Sequence, residues 1–319
     1  MKADNIKTVA IVGAGFIGPG IAQIFAAKGF QVFLMDNKRE VLPLAIENIR
    51  SNLLQMAEEK VISGSEIESI LGHIKTTTDM SEAVIKAQFV IEAVNENLGL
   101  KQKIFQDLDR ICSPETILST NTSVISVTEI ASRAARRQRI IGTHFWNPPH
   151  LIPLVEVIKG KDTSDENFNA AYDFLRMVGK HPVKVLKDVP GFIANRLQHA
   201  LWREAISIVE NGIADAATVD EAIKNSFAIR LPVLGPLENA DMVGLDLTLA
   251  IHDYIFKSLD SRSEPSPLLR EKVQKGDLGF KSGKGFYTWT ADEAKRSRAS
   301  LSKYLLNREK TAAISEKQD

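Results

Sequence analysis

"TVAIVGAGFIGPGIAQIFAAKGFQVFLMD", Thr8 to Asp36, passes from one apolar run to another through a glycine-rich turn. Thr8–Val12 is apolar and β-branched, as a strand buried on both faces should be. Gly13, Gly15 and Gly18 follow at the spacing G-x-G-x-x-G. The first permits a tight turn, the second lets backbone approach a pyrophosphate, and the third lets the next helix pack close to the strand. That helix carries an apolar stripe, Ile17, Ile21, Ile24 and Phe25, and its free N–H groups and dipole favour phosphates. Pro19 falls in the first turn, where a missing N–H costs little. Gly29 ends the helix, and Val32–Met35 forms a second strand that leads to Asp36. An acid about 20 residues beyond the first glycine accepts hydrogen bonds from ribose hydroxyls and repels a 2′-phosphate. NAD is therefore expected over NADP, although Lys38 and Arg39 offset some of that repulsion.

The remaining composition sets bounds. With 319 residues, 44% hydrophobic and 25% charged, the chain suits two globular domains. Forty basic residues balance forty acidic ones, so no global field draws nucleic acid or an anionic membrane. The basic runs Arg133–Arg139 and Lys295–Arg298 read as solvated faces. Cys112 is the single cysteine, which excludes an intrachain disulfide or cysteine-rich metal site; no metal site is expected. Its place before Ser113-Pro114 suggests a half-buried helix end. The start, MKADNIKTVA, lacks a secretion-signal pattern, and no apolar stretch reaches the roughly 20 residues needed to span a bilayer. The cytoplasm or another reducing compartment is expected.

Along the chain, Glu40 to about Lys60 and Ser65–Leu71 read as two helices, a long excursion that suggests a projecting arm. Strands are expected at Ile74–Thr77, Phe89–Ala93, Thr116–Ser119, Arg139–His144, Pro153–Ile158 and Val183–Leu186. Helices are expected between them at Met80–Lys86, Leu98–Arg110, Val127–Arg133 and Asn167–Val178. The alternation predicts a Rossmann-type, doubly wound, mostly parallel α/β sheet. At "KDVPGFIANR", Lys187 to Arg196, strand signals nearly vanish. Phe192–Asn211, Thr218–Asn225 and Asn239–Leu259 have helical apolar spacing, so residues 1–188 are expected to bind the dinucleotide and 189–319 to form an all-α domain. "KGDLGFKSGKGFYTW", Lys275 to Trp289, reads as a glycine-rich loop, and the charged tail from Ala291 as a loose helix.

The chemistry centres on "IIGTHFWNPPHLIPLVEVI", Ile140 to Ile158. His144 ends one strand, Pro148-Pro149 turn the chain, and Glu156 lies on the returning strand. A carboxylate bonded to one imidazole nitrogen fixes the tautomer and stabilises the imidazolium formed when the other nitrogen takes a proton. His150, in the same loop, is the competing base, but His144 sits at a strand's carboxyl end, where open α/β sheets bind ligands. Asn121, Thr122 and Ser123 cluster after another strand end, either at a ligand or as a helix N-cap motif. Asn195, early in the first helix of the second domain, either reaches the cleft or lies on a polar face.

With "GAGFIG", "NTS", "HFWNPP…LVEVI", "KDVPGFIANR" and "GFKSGKGFY", the chain resembles the NAD-dependent 3-hydroxyacyl-CoA dehydrogenase family over roughly residues 7 to 290. The resemblance implies that His144 is the general acid/base, that Glu156 orients it, and that Ser123 and Asn195 bind the substrate's reacting oxygen or its neighbours. It implies cofactor contacts at the loop residues Gly13, Gly15, Phe16, Ile17 and Gly18, and at Asp36, Glu96, Lys101, Asn121, Asn147 and Lys281. A homodimer formed by the helical domain, with a small-molecule substrate between the domains, is also implied. One departure stands out. Relatives acting on CoA thioesters carry lysines on the arm, whereas "NLLQMAEEKVISGSE", Asn52 to Glu66, places Glu58 and Glu59 there, leaving mainly Arg50 and Lys60. Branches of the family act on small hydroxy acids without CoA, such as L-gulonate, carnitine or a pyridine-carboxylate alcohol, and others serve as lens crystallins. The alternatives are thus a non-CoA substrate, or an NAD-binding protein without catalysis.

Overall fold

The computed structural model describes residues 2–315, with side chains through residue 311. Chain order in the first half is β1 (Thr8–Val12), α1 (Gly18–Ala27), β2 (Gln31–Met35), α2 (Val41–Glu58), α3 (Ile67–Gly72), β3 (Ile74–Thr77), α4 (Met80–Val84), β4 (Phe89–Glu92), α5 (Leu98–Ile111), β5 (Ile117–Thr120), α6 (Val127–Ala131), β6 (Ile140–Phe145), β7 (Leu154–Ile158), α7 (Asp165–Met177) and β8 (His181–Val185). The strands form one sheet in the order β3-β2-β1-β4-β5-β6-β7-β8. The order reverses between β1 and β4, the switch point at which open sheets of this kind hold ligands beyond their carboxyl ends.

Every connection between successive strands carries a helix except one, and the exception decides the site. The link from β6 to β7 is short and proline-containing, too short for the dozen or more residues of a parallel crossover. The two strands therefore pair antiparallel, with His144 directly opposite Glu156. Alternation along the strands fills both faces. Val9 and Ile11 join a cluster with Ile21, Phe25 and Phe174, while Ala10 and Val12 join Phe105, Leu108 and Ile130. Each large apolar side chain buried this way contributes about 1.5–3 kcal/mol.

The expected arm forms as α2 and α3. It packs on the first cluster through Leu42, Ala45, Ile49, Leu53, Ile67 and Ile70. The basic run Arg133–Arg139 is not wholly solvated: Arg139 is buried against the Asp109 carboxylate, with Arg136 alongside, because the run ends where β6 enters the sheet. Cys112 is fully rather than half buried, and burial pushes its thiol up to about 11.

Six helices follow: α8 (Ala194–Glu210), α9 (Ala216–Lys224), α10 (Pro236–Val243), α11 (Leu245–Ile255), α12 (Pro267–Gln274) and α13 (Ala291–Ser315). The single helix expected over Asn239–Leu259 is two, broken at Gly244, whose φ of 104° no L-residue holds comfortably. Helix α12 has no expected counterpart. Two compact units result, one of residues up to Asn195 together with those from Leu301 onward, the other Arg196–Ser300. The first unit thus runs a few residues past the expected boundary and also takes the last part of α13. That part is not loose: Leu305 and Leu306 are buried with Leu151 and against Met56, Val61 and Ile152, and Lys310 pairs with Glu59 at 3.1 Å. Among the described residues, no helix is long and apolar enough to cross a membrane.

Candidate active site

The glycine loop fits a dinucleotide. A Cβ on Gly13 would lie 2.6 Å from the Ala93 oxygen, and one on Gly18 would lie 1.9 Å from the Gly13 oxygen. Both positions are therefore glycine because the protein itself is in the way. A Cβ on Gly15 would meet nothing within 4 Å, so the open side of the loop is left for a phosphate to approach. Phe16 beside it is 88% exposed. At the end of β2, Asp36 Oδ2 accepts from the Ala14 N–H at 2.9 Å and Oδ1 from Lys38 N–H at 3.0 Å. The acid is thus tied to the loop and retains lone pairs for ribose hydroxyls.

Beyond β4, a buried network holds the floor. Glu92 is fully buried and accepts from Lys101 Nζ at 2.7 Å, Val94 N–H at 2.7 Å and Thr120 Oγ1 at 2.7 Å. Lys101 also lies 3.3 Å from Glu96 Oε2, and its side chain is 1% exposed. Glu96 Oε1 accepts from the Thr122 hydroxyl and from the Ser123 and Val124 amides. Burial raises the Glu96 carboxyl, but the Thr122 bond, the Lys101 charge and those amides outweigh it and hold the group below its ordinary value. Asn121 Oδ1 accepts from the Phe145 N–H at 2.8 Å, which locks its loop to β6. Asn195 Nδ2 donates to the Ser123 carbonyl at 3.1 Å.

At the end of β6, His144 Nδ1 lies 2.8 Å from Glu156 Oε2. Glu156 is fully buried, yet its other oxygen accepts from the Ile193 and Ala194 amides at 2.8 and 2.9 Å. Burial raises the Glu156 carboxyl, and the bonds from His144, Ala194 and Ile193 more than offset it, so the carboxylate is held below its usual range. Among the described residues nothing bonds His144 Nε2. The rings of Trp146 and Phe192 lie against the imidazole at 5.6 and 5.8 Å between centroids. The competing base has no such support. His150 Nδ1 is buried without a hydrogen bond, and burial, then the Lys180 charge, push that imidazole down to about 4.

Two family models cover nearly the whole chain: "3-hydroxyacyl-CoA dehydrogenase, NAD binding domain" matches residues 8–189, and "3-hydroxyacyl-CoA dehydrogenase, C-terminal domain" matches residues 191–289. The chain belongs to the 3-hydroxyacyl-CoA dehydrogenase family. It is an NAD-dependent oxidoreductase of that type. A probable 3-hydroxybutyryl-CoA dehydrogenase from Bacillus subtilis is 40% identical over 89% of this chain and 98% of its own length. The 5-formyl-3-hydroxy-2-methylpyridine 4-carboxylate 5-dehydrogenase of Mesorhizobium japonicum is 35% identical over 94% of this chain and 96% of its own. A solved structure of a dehydrogenase of that last name superposes with a TM-score of 0.88 at 31% identity, covering 96% of this chain and 98% of its own.

The structure brings Asp36 to the loop of Gly13–Gly18, Glu96 and Lys101 to the Thr122–Val124 turn, Asn121 to β6, and Asn195 to the Ser123 carbonyl. Asn147 is exposed in the loop after His144, and Lys281 lies exposed in the glycine-rich segment of the second unit. Sequence reasoning missed several contributors. Glu92 underlies Lys101, and an acid inside the apolar run "FVIEAV" was its signal. Asp188 accepts from Ser126 Oγ and the Val127 and Thr128 amides, capping α6 from a distance. Gly20 leaves room for Pro149, whose Cγ would lie 2.6 Å from an added Cβ.

Proposed function

We propose that this enzyme oxidises the (3S)-hydroxyl of a 3-hydroxyacyl-CoA such as 3-hydroxybutyryl-CoA to the 3-keto group, reversibly. The observation that carries the reading is the cross-strand pairing of His144 with Glu156 at 2.8 Å, which leaves Nε2 as the proton acceptor. NAD, when bound, supplies the hydride acceptor. The glycine loop, Asp36, Glu96, Lys101, Asn121 and Asn147 would hold it. His144 Nε2 takes the hydroxyl proton, and the ionised Glu156 stabilises the resulting imidazolium. Ser123 and Asn195 orient the reacting oxygen. Protonated His144 returns the proton in the reverse direction. In His144→Gln, kcat is expected to fall about 10²–10⁴-fold with NAD affinity within about threefold of wild type. Near-normal turnover would remove His144 from the mechanism.

A second reading keeps this chemistry on a small hydroxy acid without CoA. Two observations favour it. The pyridine-carboxylate dehydrogenase structure matches 96% of the chain, more than the two family models span. Of the arm cations, Arg50 is already paired with Glu68, and the arm's Glu59 draws in Lys310 from the last helix. The His144→Gln comparison is therefore run on 3-hydroxybutyryl-CoA and on a panel of free hydroxy acids in parallel; turnover of the free acids alone would displace the CoA reading. No NADH from either panel, despite NAD binding, would exclude both substrate classes.

A homodimer fits the second unit. Helices α10 and α11 bury no residue, and Leu237, Met242, Leu245, Leu249, Ile251 and Phe256 are exposed, the kind of apolar set that a partner copy would cover. Light scattering is expected to give about twice the chain mass of 35.2 kDa. A single-chain mass at micromolar concentration would exclude the dimer.

A further inference from the structure

Between β8 and α8 the backbone does something costly. Gly191 and Phe192 both take left-handed conformations, φ 75° and 51°. A glycine does so freely, but a phenylalanine is held there only when its surroundings over-determine it. Those surroundings can be named. Before the turn, the Asp188 carboxylate is bonded to Ser126 Oγ at 2.6 Å and to the Thr128 amide at 2.7 Å. After it, Asn195 Nδ2 is bonded to the Ser123 carbonyl. The connector is thus fastened on both sides to the loop beyond β5. At the turn itself, Phe192 N–H bonds the Val189 carbonyl at 3.1 Å, and the ring is buried in the second apolar cluster, 5.8 Å from the His144 ring.

The two residues that follow are the ones whose amides meet Glu156 Oε1. A fully buried carboxylate needs its lone pairs filled, and two amides on one oxygen, with the imidazole and at 3.5 Å the Trp146 indole N–H on the other, fill them. The direction of those amides is set by the left-handed turn just before them. We propose that Phe192 is a positioning residue for proton transfer: its backbone aims the Ile193 and Ala194 amides at Glu156, and its ring walls the imidazole that Glu156 orients. This rests on His144 being the base.

The test uses residues of similar bulk that differ in their tolerance of positive φ. Phe192→Leu keeps an apolar side chain that enters the left-handed region about as readily as phenylalanine, whereas Phe192→Val is β-branched and resists it more strongly. Phe192→Leu is expected to keep kcat within about fivefold, while Phe192→Val loses about 10–100-fold in kcat, with KM for NAD and substrate within about threefold. Each is repeated in a Glu156→Gln background. If Phe192 acts through Glu156, valine adds less than about threefold there. Should Phe192→Val not fold, Phe192→Ile, β-branched and equal in volume to leucine, is read against Phe192→Leu in the same way. Wild-type kcat in Phe192→Val, an undiminished loss in the Glu156→Gln background, or a loss confined to KM overturns the proposal. His144→Gln in the same assay separates the claims. Its inactivity beside any of those outcomes removes the positioning role alone; its retained turnover removes the base on which both depend.

Discussion

A glycine whose β-carbon would touch nothing and one whose β-carbon would strike a carbonyl make different demands within one loop. Gly18→Ala forces the Gly13 carbonyl aside and is expected to destabilise the fold by about 1–3 kcal/mol, seen as a lower urea midpoint. Gly15→Ala meets open space, so stability should stay within about 0.5 kcal/mol while NAD binding weakens at least about tenfold by calorimetry. Equal effects of the two substitutions on stability would refute the distinction. Residues with a chemical signature were legible in the amino-acid sequence alone: the glycines, Asp36, His144 and Glu156. Those that act through backbone were not. Nothing in the letters of "PGFIANR" states that Phe192 has a positive φ, and Gly20 looks like any helical glycine until Pro149 is seen against it.

At the level of elements, strand positions were legible to within a residue or two, because runs of buried apolar residues leave little choice. What escaped was the far end of the chain. Charged spacing in α13 hides an apolar pair, Leu305 and Leu306, whose partners Leu151, Met56, Val61 and Ile152 lie far away in sequence. That helix half clamps the end of the arm and the loop following His144. Leu306→Ala is expected to destabilise by about 2–4 kcal/mol in urea unfolding, since the leucine is 1% exposed. Lys310→Ala should lower stability by less than about 1 kcal/mol, because its pair with Glu59 is partly solvated. A neutral Leu306→Ala would mean the clamp contributes nothing to folding. Helix α12 had no expected counterpart because its eight residues, Pro267–Gln274, carry little apolar spacing, although Ser266 caps it through the Leu269 amide.

For the molecule as a whole, acid is the exposed weakness. His150 is driven down to about 4 by burial first and the Lys180 charge second, from an ordinary value of 6.5. A depressed imidazole means the unfolded chain takes up its proton before the native one, so stability falls as pH drops from about 6.5 to about 4 and levels off below. The slope from this group approaches 1.4 kcal/mol per pH unit at most. His150→Leu should flatten the melting-temperature profile across that window and leave it unchanged above neutrality. Parallel profiles for the two proteins would exonerate His150. The pairing of β6 with β7 has its own bearing on the whole. Valines flank Glu156 on both sides, so a sheet misaligned by a single step would set Val155 or Val157 across from the imidazole. Recovered turnover after dilution from denaturant therefore gauges strand alignment directly: a mismatched population could look fully ordered by circular dichroism and still be catalytically silent.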